Sequence, residues 1–141
     1  MSDKAIVLDA NILIRAVLGT RVRELILRHA PTTNFFAPDV AFADARKYLP
    51  ALLEKRGVDS TAALSVLDSL SAIVRSLERE LYSAYERQAL NRIKTRDVED
   101  WPPLACAMAL GCPIWTEDRD FFGVGISIWS TDLVEQYLTA S

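Results

Sequence analysis

Ala5-Ile6-Val7-Leu8-Asp9-Ala10-Asn11 decides the fold class in seven residues. Four apolar side chains in unbroken succession suit a short strand covered on both faces, because a half-exposed strand would alternate apolar with polar. The run closes on an acid. Ile12, Leu13, Ala16 and Val17 then follow at helical spacing as far as Gly19. A buried strand that passes at once into a helix is the opening of a strand-helix-strand unit, and it predicts alternation along the rest of the chain.

The remaining pattern supports that prediction. Val22, Leu25, Ile26 and Leu27 predict a second short helix ending near His29-Ala30-Pro31, and Asn34 to Ala37 a second strand. Ala41, Ala45, Tyr48, Leu49, Leu52 and Leu53 continue as an amphipathic helix in which Pro50 can place a kink and which Gly57 ends. From Asp59 to Lys94 the pattern is wholly helical and predicts a helical hairpin, broken by a turn or strand only at Ser76 to Arg79. A polar connector from Arg96 to Glu99 leads to a helix through Leu104, Ala105, Met108 and Ala109, stopped by Gly111. Cys112 to Thr116 and Ile126 to Trp129 read as strands, with a short helix from Asp132 to Leu138. The expectation is an α/β chain, a three-layer α/β/α sandwich with a mainly parallel sheet, whose site lies at the carboxyl ends of the strands.

Composition narrows the chemistry. At 141 residues, 50% apolar and 25% charged, the chain is expected to be one domain spanning 1–141. A net charge of -3 and a pI near 5.2 exclude a protein that grips nucleic acid by bulk positive charge, so any such contact must be local. Apolar stretches are interrupted well before a bilayer span, and Met1-Ser2-Asp3-Lys4 lacks a signal peptide's order, so a cytoplasmic protein without membrane partner is expected. Cys106 and Cys112 are expected as buried free thiols. A single histidine and no Cys-x-x-Cys argue against structural zinc. His29 itself is expected at the surface or as a helix cap, which leaves no Ser-His-Asp or Cys-His arrangement. Five scattered glycines form neither G-x-G-x-x-G nor a Walker A loop, and Trp101, Trp115 and Trp129 are expected in the core or an interface.

What remains is acid. Asp9 stands where the first strand exits into the ligand crevice of an open α/β sheet; it would also cap the following helix, with Asn11 placed to cap or to orient a metal-bound water. Asp44 shares a helical face with Ala41, Ala45, Tyr48 and Leu52, while Arg46 and Lys47 lie on other faces. A carboxylate buried on that face would need a cation or donors to offset its desolvation; at a rim it would simply be solvated. Asp100 opens a helix at Asp100-Trp101-Pro102-Pro103, a good capping sequence, with Asp97 three residues earlier as substitute or support. After the strand ending at Thr116, alternation puts Thr116, Asp118 and Asp120 on one side and Glu117 and Arg119 on the other. Carboxylates gathered at one sheet end repel unless cations are held there, which predicts a hard-metal site, raised pKa values without metal, and phosphodiester chemistry.

At Val7-Leu8-Asp9-Ala10-Asn11, Asp44, Asp100-Trp101-Pro102-Pro103-Leu104-Ala105-Cys106-Ala107 and Trp115-Thr116-Glu117-Asp118-Arg119-Asp120-Phe121, the chain resembles the PIN-domain nucleases, especially small VapC-like toxins of prokaryotic toxin-antitoxin pairs. The resemblance implies an α/β/α sandwich, a Mg²⁺ or Mn²⁺ site, endonucleolytic cleavage of RNA, an antitoxin partner and a two-fold dimer. Asp9, Asp100 and Asp118 match family acids, Thr116 the usual threonine of the last motif, and Asp120 a frequent additional acid. Asp44 departs from the pattern, which usually has Glu. Two hard cations, or one with a transient second, held by Asp9, Asp44, Asp100 and Asp118, would activate water without a protein base, and oxygen ligands favour Mg²⁺ or Mn²⁺ over zinc. Flanking RNA phosphates would meet Arg15, Arg46 and Lys47, with Arg21 and Arg23 as further candidates. A phosphoacceptor domain would want paired acids after the first strand and a lysine near the last, and neither is present. A non-catalytic interaction module of the same fold is the stronger rival, because of Asp44.

Overall fold

β1 (Lys4–Leu8) sends its buried side chains alternately into two cores, Ile6 and Leu8 into one and Val7 into the other. Both faces are covered, as the unbroken apolar run demands. The computed structural model describes residues 4–93 and 97–140. Met1-Ser2-Asp3, and Lys94 and Arg96 at the junction of the expected hairpin and connector, lie outside the described residues.

After β1 come α1 (Ala10–Leu18), α2 (Arg21–His29), β2 (Thr33–Pro38), α3 (Asp39–Lys55), α4 (Ser60–Leu70) and β3 (Val74–Leu77). Then follow α5 (Arg79–Tyr82), α6 (Glu86–Ile93), α7 (Trp101–Leu110), β4 (Ile114–Trp115), β5 (Ile128–Trp129) and α8 (Val134–Thr139). The five strands pair in the order β3-β2-β1-β4-β5, all parallel. From β1 the chain builds outward on one side, then returns to build outward on the other. The order therefore switches at β1, and the carboxyl ends of β1 and β4 frame the crevice that such a switch opens. α1 to α4 and α8 cover one face of the sheet, α5 to α7 the other.

α7 shows why local sequence folds as it does here. Pro102 to Ala107 are all buried, so the helix is apolar around its circumference and sits inside the second core. Proline in its first turn costs no hydrogen bond, and Gly111 ends it in the left-handed region at φ 64°, its N–H donating to the Ala107 carbonyl.

Two expectations are corrected. The stretch from Asp59 to Lys94 is not a bare helical hairpin, because β3 lies within it and pairs with β2 from Phe35↔Val74 to Pro38↔Leu77. Buried Val74 and Leu77 are three apart, a spacing that continues a helical stripe as readily as it bounds a short strand. The open edge of β2 decides, and local spacing does not reveal it. His29 is buried rather than superficial, with Nε2 3.6 Å from a carboxylate oxygen of Glu135 on α8. Both cysteines are free and buried, and Trp115 is fully enclosed. Among the described residues no helix is long and apolar enough to cross a membrane.

Candidate metal centre

Asp9 leaves β1 at the switch point and does two things at once. Its Oδ1 accepts from the Ile12 N–H at 3.0 Å, capping α1, and its Oδ2 accepts from the Thr116 hydroxyl. The register Leu8↔Trp115 makes Asp9 and Thr116 the next neighbours along β1 and β4. The Thr116 hydroxyl oxygen in turn accepts from the Asp118 N–H, and Asp118 Oδ1 from the Asp120 N–H, each at 2.9 Å. The same-side grouping of Thr116, Asp118 and Asp120 is thus present, but it is built by a 3-10 turn over Arg119–Phe121 and not by extended chain.

Asp100 arrives from the opposite layer. It occupies the N-cap position of α7, yet its carboxylate makes no capping hydrogen bond, and its Oδ2 is buried with no partner. One carboxylate oxygen from each of Asp100, Asp118 and Asp120 lies within 4.8 Å of the others. Tyr82 braces this arrangement: its hydroxyl donates to Asp39 Oδ1 at 2.6 Å, and its ring lies 5.5 Å from that of Trp101. The start of α3, which carries Asp44, is so tied to the start of α7, which carries Asp100.

Asp9, Asn11, Asp44, Asp100 and Asp118 line one cavity of about 190 Å³. The expected convergence of acids therefore occurs, with Asn11 exposed at its edge. Asp44, however, is exposed and stands outside the three-oxygen group. Its helical face is open at this end, as the 51% exposure of Tyr48 shows, so Asp44 is a solvated rim residue and not a desolvated one. Asp97 is exposed as well; it accepts from the Glu99 N–H at 3.0 Å and acts on Asp100 through its charge. Glu99 also lines the cavity, and the acidic run Asp97-Val98-Glu99-Asp100 was the signal for it.

Electrostatics follow from burial. Desolvation pushes Asp9 up to about 6, against the pull of its hydrogen bonds from Thr116 and Ile12, with the charges of Asp118 and Glu117 adding to the rise. Desolvation pushes Asp100 up to about 7, reinforced first by the charge and contact of Asp118 and then by Asp97 and Asp9. A buried lone pair without a donor, among carboxylates that hold protons near neutrality, fits a hard divalent cation of the Mg²⁺ or Mn²⁺ type.

The cations around the crevice are unequally free. Arg46 is held by Asp68 of α4 at 2.7 Å, Lys47 Nζ sits 5.4 Å over the Tyr48 ring, and Arg23 donates to the Ala16 carbonyl at 2.8 Å. Arg21 lies 3.9 Å from Glu135, and Arg15 opens onto a second concavity beside the first.

Solved structures share this architecture at low sequence identity. They include PAE2754 from Pyrobaculum aerophilum, at 19% identity and a TM-score of 0.73, covering 98% of this chain and 91% of that one. VapBC2 from Rickettsia felis, bound to a DNA fragment from their promoter, matches at 12% identity and 0.68, covering 89% and 98%. FitAcB from Neisseria gonorrhoeae matches at 19% and 0.64, covering 89% and 97%. At such identities the likeness concerns the fold. No curated protein matches the sequence. The family model of the PIN domain matches residues 7–139, from the strand that delivers Asp9 to the last helix, and the chain belongs to the PIN domain family.

Proposed function

We propose that the protein is a Mg²⁺- or Mn²⁺-dependent endoribonuclease that hydrolyses RNA phosphodiester bonds and acts in the cytoplasm as the toxin of a toxin-antitoxin pair. One observation carries the reading: the buried, unpartnered Oδ2 of Asp100 beside the grouped oxygens of Asp118 and Asp120. Membership of the PIN domain family supports it, and the similar VapBC2 and FitAcB structures support an antitoxin protein as partner.

In this reading Asp100, Asp118 and Asp120 hold the cation directly, and Asp9 closes the site from β1. Thr116 fixes the Asp9 carboxylate by donating to it, which leaves Asp9 little freedom to reorient. Asp44 and Asn11, exposed at the rim, act through bound water. A cation held there supplies Lewis acidity, lowering the pKa of water and neutralising charge on the scissile phosphate. No protein base is required, and His29, packed against α8, does not line the crevice. Two-fold self-association is proposed as well, on the resemblance and on apolar side chains such as Leu81, 62% exposed on α5.

Incubating a structured RNA pool with Mg²⁺, Mn²⁺ or EDTA and sequencing the ends tests the activity. New ends confined to the cation arms are expected. Intact RNA in every arm would favour the non-catalytic module, whose case rests on the solvated Asp44. Light scattering at micromolar concentration should show a dimer; monomer alone would remove the self-association.

A further inference from the structure

We propose that Arg15, Arg21 and Arg56 form a phosphate-binding subsite for the RNA strand, immediately beside the acid crevice; this rests on the ribonuclease reading above. The three arginines line an open concavity of about 820 Å³ together with the segment Gly19 to Val22 at the start of α2. Neighbouring residues of the same segments line the two cavities. Asn11 borders the acid crevice and Arg15, one helical turn further along α1, borders the second; Asp118 borders the first and its chain neighbour Glu117 the second. A strand whose scissile phosphate sits among the acids can carry its neighbouring phosphates past these residues into the second concavity.

The charges in the concavity are available for that strand. Among the described residues neither the Arg15 nor the Arg56 guanidinium has an ion-pair or hydrogen-bond partner. Arg21 has only the 3.9 Å approach of Glu135, whose carboxylate also meets Arg28 at 3.0 Å and His29 at 3.6 Å. Glu117 on this wall accepts from the Thr131 N–H through both oxygens, at 3.1 and 3.2 Å, and keeps its charge. With Asp132 it makes two carboxylates on the lining against three arginines, so cations outnumber acids there. The nine-residue α2 adds to the field, because Thr20 at its start makes no side-chain cap and leaves the positive end of the helix dipole without a side-chain acceptor from that position. Guanidinium groups match phosphate oxygens two at a time, which suits this wall to a backbone phosphate. By contrast, Arg46 and Arg23 are already engaged within the protein. A chain of net charge -3 has to grip its strand locally, and this is where unspent arginines meet the crevice.

The test is binding of a short single-stranded RNA in EDTA, titrated against salt, by wild type and by the Arg15→Gln/Arg56→Gln double variant. Both side chains are exposed, so the fold should hold, and the rise in melting temperature given by Mn²⁺ reports the acid site separately. The expected result is roughly tenfold or greater loss of affinity, and a logarithmic salt slope smaller by about 1.4, the value for two lost phosphate contacts on a single strand. The Mn²⁺ shift should be that of the wild type. Equal affinity and slope in the double variant would overturn the subsite while leaving the ribonuclease reading intact. Loss of RNA affinity in a protein that shows no cleavage with Mn²⁺ would keep the subsite and overturn the enzyme. If the double variant instead loses affinity for a polyglutamate peptide and keeps its RNA slope, the wall belongs to an acidic protein segment and the proposal fails.

Discussion

Asp100 takes up its charge only above about pH 7, against repulsion from its surroundings, with Oδ2 buried and unpaired and the pKa raised to about 7. Asp100→Asn removes that repulsion at nearly constant volume, so in EDTA at pH 7.5 the variant should melt above the wild type. It should also lose most of its Mn²⁺ stabilisation, and RNA cleavage should fall by orders of magnitude. Differential scanning fluorimetry with and without Mn²⁺ checks the first two; an unchanged melting point and an intact Mn²⁺ shift would make Asp100 an ordinary helix-start residue. Asp9→Asn should behave similarly while keeping the capping oxygen for Ile12. Asp44→Asn should cost less activity than either, because Asp44 is solvated at the rim; a loss equal to that of Asp100→Asn would put it among the direct ligands. The sequence identified Asp9, Asp100 and Asp118 as crevice acids because each sits at the end of a strand or the start of a helix. It placed Asp44 on the correct helical face, but spacing cannot say whether that face is covered at that point.

The same division holds for the elements. β1 was legible because a strand buried on both faces needs a continuous apolar run, and α7 because Gly111 and the paired prolines bracket it. β3 was legible only as a turn or strand break expected at Ser76 to Arg79, since its strand form and its start at Val74 depend on the free edge of β2 and not on Val74-Arg75-Ser76-Leu77 alone. Gly111 gives a prediction at this scale. A Cβ there would meet nothing within 4 Å, so Gly111→Ala should cost only the left-handed backbone strain, about 1 kcal/mol. Urea denaturation should show that loss with the Mn²⁺ shift retained, because the glycine lies at the far end of α7 from Asp100. A loss of several kcal/mol would mean that the left-handed turn is tied into the packing of β4.

Taken as a whole, the molecule binds more protons folded than unfolded between about pH 4 and 7, because Asp9 and Asp100 rise from an ordinary 3.8 to about 6 and about 7. Their penalty is absent below the unfolded value and complete above the folded one, so in EDTA stability should fall as pH rises through that window. For Asp9 alone the effect is on the order of 3 kcal/mol. Urea melts from pH 4.5 to 7.5 should show the decline, the Asp9→Asn/Asp100→Asn double variant should flatten it, and Mn²⁺ should offset it above pH 6. A double variant with the wild-type slope would assign the pH dependence to other groups.

The position of β1 in the middle of the sheet also sets a timetable. Asp9 precedes by 107 residues the Thr116 whose hydroxyl orients it, and Asp118 and Asp120 come later still. Long-range parallel pairing is the slow part of folding, and here it is also the step that completes the acid centre. During synthesis the growing chain therefore carries Asp9 through 107 further residues before Thr116 can complete the site, and under the ribonuclease proposal the ribosome would be spared the activity until β4 has been made.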